Sequence, residues 1–164
     1  MKLSTRSRYG VRLVLDLALN YDRGPIRLGD IAKRQEIPLK YLEQIIIPLK
    51  KAEYVTSVRG PKGGHMLTRP PERITVGEIV ALLEGGIKLT RCTAQPEICD
   101  RSATCITRFL WKEATEAIHD RLDMVTFARL VQMTSGREEL LGCPAEGCEA
   151  DDDLPGSPSE TRLA

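Results

Sequence analysis

The alternation of apolar and polar positions predicts a series of helices interrupted once by a hairpin. Val11, Val14, Leu15 and Ala18 recur at helical spacing, and Leu13, Leu17 and Leu19 widen the same face. Ser4 or Thr5 can cap this first helix, which runs to about Asn20. Arg12 and Asp16 interrupt its apolar run, and Gly24-Pro25 ends the element in a loop. Leu28 to Gln35 reads as a short second helix with Ile31 and Ala32 turned inward. Glu36-Ile37-Pro38 is a turn, and a proline is tolerated there because the first helical N–H groups have no intrahelical partner. The third helix, Leu39 to about Lys51, has Leu39, Leu42, Ile45, Ile46 and Leu49 as its apolar set, and Pro48 should kink or shorten it.

The period then changes. Tyr54 to Val58 is β-branched and reads as a strand, Arg59-Gly60-Pro61-Lys62-Gly63-Gly64 is a tight turn, and His65 to Thr68 returns. Helix, helix, helix, hairpin is the chain order of a winged helix-turn-helix. Downstream, Thr75 caps a helix with Val76, Ile79, Val80, Leu82 and Leu83 as apolar positions, and Gly85-Gly86 stops it. A polar loop follows, then a long helix from about Thr104 to Met124 and a short one from Thr126 to Met133. The expected fold is mainly α with a small β-hairpin wing: a winged helix-turn-helix plus a long dimerisation helix. The expected division is residues 1–72 for DNA binding, 73–135 for a cysteine loop and dimerisation helices, and 136–164 as a disordered tail rich in Gly, Pro, Ser and acids.

Charge sharpens this picture. The chain of 164 residues has a net charge of only +1, yet residues 1–69 hold 14 Lys/Arg against 6 Asp/Glu, and residues 70–164 hold 10 against 17. A basic front half points to a polyanion, with nucleic acid first among the choices, against the plainer reading of a solvated charged surface. No stretch approaches the ~18 apolar residues of a membrane span, and no signal-type segment opens the chain, so a cytoplasmic location is expected. Walker loops, Ser-His-Asp sets and nucleotide-binding glycine motifs are missing from the sequence, which argues against an enzyme.

On the DNA-binding reading, the third helix enters the major groove. Its early polar positions are Lys40, Tyr41, Glu43 and Gln44. Gln can pair with adenine, Glu can accept from cytosine, and Lys can reach guanine or phosphate. At the wing, Gly60 and Pro61 shape the tip, while Arg59 and Lys62 supply positive charge for a minor groove or flanking phosphates.

The five cysteines are an odd number, better suited to metal or redox chemistry than to a disulfide framework. Cys92, Cys99 and Cys105 form C-x6-C-x5-C, a spacing unlike the short C-x2-C knuckles of structural zinc, and their thiolates suit zinc or iron–sulfur iron. Arg91, Arg101 and Arg108 favour thiolates nearby. Cys143 and Cys148 form a C-x4-C pair in the tail that could add ligands, form a redox disulfide, bind zinc or have no role. His65, His119 and the pair Glu113 and Glu116 are more simply read as structural or surface residues than as site chemistry.

Taken together, several segments resemble the IscR-like iron–sulfur regulators and their NsrR and RirA relatives over about residues 1–133. They are LSTRSRY from Leu3 to Tyr9, LDLAL from Leu15 to Leu19, YLEQ from Tyr41 to Gln44, VRGP with Gly63-Gly64, TVGEI from Thr75 to Ile79, and the cysteine triad. The resemblance implies a homodimer joined by the helix near 104–124, with a cluster at Cys92, Cys99 and Cys105 close to the dimer interface. A [2Fe–2S] cluster is favoured over [4Fe–4S]. It also implies cluster-dependent binding to palindromic promoter DNA, in which Glu43 helps choose sites and Arg59 contacts DNA. This sequence departs from the resemblance at the fourth ligand. IscR-type proteins carry a histidine where Arg108 stands, and NsrR-type proteins use an acidic residue of the first helix, where position 8 is Arg8. A guanidinium is a poor iron ligand. The remaining candidates are a small molecule or water, Asp100, Glu113, His119 or a tail thiol. A thiol-redox or zinc-dependent regulator without a cluster is the alternative on the same scaffold.

Overall fold

A computed structural model describes residues 3–135, so the expected tail with Cys143 and Cys148 lies outside the described residues. Helix α1 (Thr5–Leu19) starts where the Ser4 hydroxyl accepts the Ser7 N–H at 3.1 Å. Its face of Leu13, Val14 and Leu17 is fully buried. Gly10 lets α4 (Val76–Glu84) approach closely: a Cβ there would stand 2.1 Å from Leu83 Cδ1. Helix α2 (Leu28–Gln35) and helix α3 (Leu39–Lys51) are separated by Glu36, which adopts a left-handed conformation (φ 52°), and by buried Ile37. Pro48 does not shorten α3. The helix runs on to Lys51, and the Ala52 N–H still reaches the Pro48 carbonyl at 3.0 Å. Lys50 and Lys51 in the last turn complement the helix dipole.

Strands β1 (Val55–Val58) and β2 (Gly64–Leu67) pair antiparallel, with Val55 opposite Leu67 and Val58 opposite Gly64. Ile26, in the connection before α2, adds an isolated bridge to His65, with N–H···O distances of 2.9 and 2.7 Å. No room exists for a side chain at Gly64, where a Cβ would meet the Ile26 backbone at 2.4 Å. Helix α4 opens with a full capping box between Thr75 and Glu78 and closes on left-handed Gly85 (φ 71°).

The loop expected after α4 contains one turn of helix, α5 (Arg91–Ala94), and a 3₁₀ turn at Pro96–Ile98. The long helix α6 (Ile106–Asp123) begins two residues later than expected, because Cys105 occupies the N-cap. Helix α7 (Phe127–Ser135) returns to the body of the molecule, where Phe127 is fully buried. Its entry is stitched to α4's entry by Val76 N–H to Val125 O at 2.8 Å and Phe127 N–H to Ile74 O at 3.0 Å. One hydrophobic core runs through Leu13, Ile31, Leu42, Ile79 and Phe127, drawing on residues from both sides of position 72. Helix α6 differs from the rest in that none of its 18 residues is buried. Among the described residues, no helix is long and apolar enough to cross a membrane.

Candidate nucleic-acid interface and cysteine loop

Burial splits α3 into two faces. Leu42, Ile45, Ile46 and Leu49 enter the core, while Lys40, Glu43 and Gln44 lie exposed on the opposite face at i, i+3, i+4 spacing. Tyr41 is placed differently. It is half-buried, and its ring meets Tyr9 of α1 edge-on at 5.6 Å between centroids. The Tyr9–Tyr41 contact fastens α3 to α1, and the Arg12 guanidinium, also on α1, lies 5.8 Å from the Tyr9 centroid.

Helix α2 is held to α1 by a carboxylate that the sequence pattern presents only as an interruption. Asp16 is 2% exposed on α1. It accepts from Arg34 Nη2 at 2.6 Å, Arg34 Nε at 3.1 Å and Gln35 Nε2 at 3.0 Å, all on α2. This forked geometry is the strongest type of carboxylate–guanidinium contact. The Arg34 guanidinium is held more firmly in its charged form, first by the hydrogen bond to Asp16. Arg12 adds a bond to the Gln35 side chain at 3.2 Å and another to the Gln35 carbonyl.

At the wing tip Arg59, Gly60, Pro61 and Lys62 are all exposed. Gly60 has φ of +116°, a region that side chains avoid, and its carbonyl accepts the Gly63 N–H at 2.9 Å. Arg27, just before α2, donates a guanidinium N–H to the Pro61 carbonyl. Sequence reasoning missed this contact, since an arginine's bond to a backbone carbonyl 34 residues away leaves no local signal. Beneath the tip, burial and then the neighbouring Lys50 charge hold His65 below the ordinary imidazole pKa. Its Nδ1 lies 3.3 Å from Ser57 Oγ.

The three cysteines share one segment. Cys92 is in α5, Cys99 closes the 3₁₀ turn and Cys105 caps α6. All three are free thiols and partly buried. Cys92 Sγ lies 3.4 Å from Thr90 Oγ1, and Cys105 Sγ lies 3.2 Å from Thr107 Oγ1. The Thr107 hydroxyl, and after it the Arg108 backbone N–H, lower the Cys105 thiol pKa. Arg108 donates from Nε to the Cys92 carbonyl at 3.0 Å and from Nη1 to the Ser102 carbonyl at 3.1 Å, closing the segment on itself. Among the described residues, no three His, Cys, Asp or Glu side chains gather closely enough to hold a metal ion. The donors fit an iron–sulfur group in kind, since three thiols lie within 14 residues, one of them with a lowered pKa. Of the candidate fourth ligands, His119 is paired through Nδ1 to Asp123 at 2.9 Å, and Asp100 and Glu113 are exposed.

Comparison with known proteins adds lineage to this geometry. Residues 3–133 match the Rrf2 family, described as iron-dependent transcriptional regulators. The chain belongs to the Rrf2 family. It is 42% identical to the protein Rrf2 of Nitratidesulfovibrio vulgaris over 148 residues, covering 90% of this chain and 95% of that one. Among solved structures it is similar to IscR of T. potens, with a TM-score of 0.71 and 35% identity over 87% of this chain and 94% of that one. It is also similar to CymR, the global cysteine regulator of B. subtilis, with a TM-score of 0.68 and 34% identity over 80% and 97%. As an Rrf2 protein it is a winged-helix, DNA-binding transcriptional regulator and not an enzyme. The IscR-like resemblance read from YLEQ, the wing and the cysteines agrees with these relatives.

Proposed function

We propose that this Rrf2 protein is a homodimeric cytoplasmic regulator whose binding to palindromic promoter DNA is controlled by an iron–sulfur cluster on Cys92, Cys99 and Cys105. A [2Fe–2S] cluster is favoured over [4Fe–4S]. Residues 1–72 would read DNA through Lys40, Glu43, Gln44 and the wing residues Arg59, Gly60, Pro61 and Lys62, with Tyr41 setting the pose of the helix. Residues 73–135 would hold the cofactor and join two copies.

The observation that carries this reading is the continuity of thiols and helix. The cysteine segment ends at Cys105, which is itself the N-cap of α6. That helix presents Ile106, Phe109 and Leu110 to solvent at 84%, 54% and 55% exposure. An exposed apolar stripe on an 18-residue helix with no buried residue suits pairing with a second α6. When bound, the cluster would bind the three thiols into one unit that responds to iron supply, oxidation or nitric oxide. The chain's own part is to keep those thiols partly shielded, to close the segment through Arg108, and to pass its state into the first turn of α6. A change there would bias how two recognition helices are spaced, which is a shift between populations.

A second reading, a thiol-redox regulator on the same scaffold, is favoured by Arg108. Its guanidinium is committed to two carbonyls and offers no fourth ligand. Likeness to CymR is compatible with either reading. Purification without oxygen, followed by an absorption spectrum and iron and sulfide analysis, separates the two. Brown protein with stoichiometric iron and sulfide supports the cluster. Protein that stays colourless after reconstitution rejects it and leaves the DNA-reading half standing.

A further inference from the structure

The wing is tied to the protein body at two points by consecutive residues. Ile26 exchanges two backbone hydrogen bonds with His65, one strand pair below the turn. Arg27 reaches onward to the Pro61 carbonyl at the tip. Beyond the Val58–Gly64 pair that ends the ladder, the tip from Arg59 to Lys62 is exposed and carries one backbone bond of its own, Gly63 N–H to Gly60 O. Gly60 (φ +116°) takes a conformation that side chains avoid and has open space around it, whereas Gly63 and Gly64 pack directly on backbone. Pro61 stands between Arg59 and Lys62, the two cations of the wing. A donor on the Pro61 carbonyl therefore sets the direction in which both project.

We propose that Arg27 is a positioning residue for DNA recognition, holding the wing tip so that Arg59 and Lys62 meet the duplex already oriented. The inference rests on the reading of α3 and the wing as the DNA-contacting face. Arg27 also occupies the N-cap position of α2, the first helix of the helix-turn-helix, so its bond to Pro61 joins the wing to the start of that helix. An unanchored tip must lose its freedom on binding, which weakens association without removing any contact to DNA.

The test uses the full chain and a duplex that the wild-type protein selects from a random-sequence pool. Binding is measured by fluorescence anisotropy across a range of salt. Arg27→Ala should weaken binding roughly three- to tenfold, the net worth of one solvent-exposed hydrogen bond. The slope of log affinity against log salt should be unchanged, since no phosphate contact is removed. Hydroxyl-radical footprints should fade at the flanks and persist at the centre. Arg59→Ala should cost much less in the Arg27→Ala background than in the wild type.

A salt slope reduced by about one, with costs that add to those of Arg59→Ala, would make Arg27 a phosphate contact and overturn the proposal. Unchanged affinity would overturn it too. A wild-type chain that selects no sequence would remove the DNA-contact reading itself, and this inference with it. Arg27 is exposed, so melting curves of the variant should match the wild type and keep the comparison clean.

Discussion

Asp16 offers the sharpest test of how α2 is held to α1. It is 2% exposed and accepts three hydrogen bonds from α2, two of them from one guanidinium. Breaking a fully buried ion pair costs about 3–5 kcal/mol, because the surviving charge is stranded. Here the Arg34 side chain is 46% exposed and can recover water, so Asp16→Ala should lie at the low end, near 3 kcal/mol. At roughly 2–4 °C per kcal/mol for a chain of this size, the melting temperature should fall by about 6–12 °C. Asp16→Asn should recover little, since all three partners are donors and an amide would turn its own N–H toward one of them. The measurement is thermal melting followed by circular dichroism at one fixed chain concentration, with Arg34→Ala and the double variant alongside. The double variant should be no less stable than Asp16→Ala alone, within about 0.5 kcal/mol. If Asp16→Ala melts within about 2 °C of the wild type, or if the two substitutions add, the fork does not hold α2 to α1 and the reasoning fails.

Three other outcomes are expected. Arg108→Ala should speed hydrogen exchange across residues 92–105 while leaving exchange in α1 and α3 unchanged; equal exchange would show that the two carbonyl bonds do not hold the segment. Gly64→Ala should destabilise by about 1–3 kcal/mol in chemical denaturation, because its methyl would sit 2.4 Å from the Ile26 backbone, where no flexible side chain can yield. Hydrogen bonds from the side chain of Ser7, and then from Ser4, hold the Glu84 carboxyl below the usual glutamate pKa. Its contribution is therefore present above the ordinary glutamate range and lost as the pH falls through the lowered value. Melting curves of Glu84→Gln and wild type should differ at neutral pH and converge in acid, and a constant difference would argue against the assignment.

What could be read from the sequence was whatever repeats or punctuates. The faces of α3, the wing glycines, the Thr75–Glu78 cap and the spacing of the thiols all follow local rules of period and turn chemistry, and the elements formed within two residues of where those rules put them. Helix α5 was not legible, because four residues make one turn and no period can be counted in it. Asp16 looked like a blemish in an apolar stripe because its partners lie 18 and 19 residues on. Arg108 drew notice as a cation near the thiols and as a departure from the expected histidine. Its two bonds to backbone carbonyls depend on how the chain folds back and give no pattern of side-chain types. Phe127, fully buried, takes its place in the core through long-range packing that no window of sequence contains.

The C-terminal half of helix α6 packs on the core through Ile118 and Leu122, while its first turn bonds through Arg108 to carbonyls of the cysteine segment. Near its C-terminus Asp123 accepts from the Thr75 hydroxyl at 3.0 Å, and its carboxylate fills the space that a side chain at Gly77 would need. At the other end Cys105 begins the helix without a side-chain cap. Eighteen residues at 1.5 Å rise make an arm of about 27 Å. By the length of that arm, a change of about 5° in its direction at Asp123 corresponds to about 2 Å at the cysteine end. The molecule thus has the proportions of a pointer, in which a small angular change at the base becomes a displacement as long as a bond at the tip, and a displacement imposed at the tip reaches the base as a slight turn.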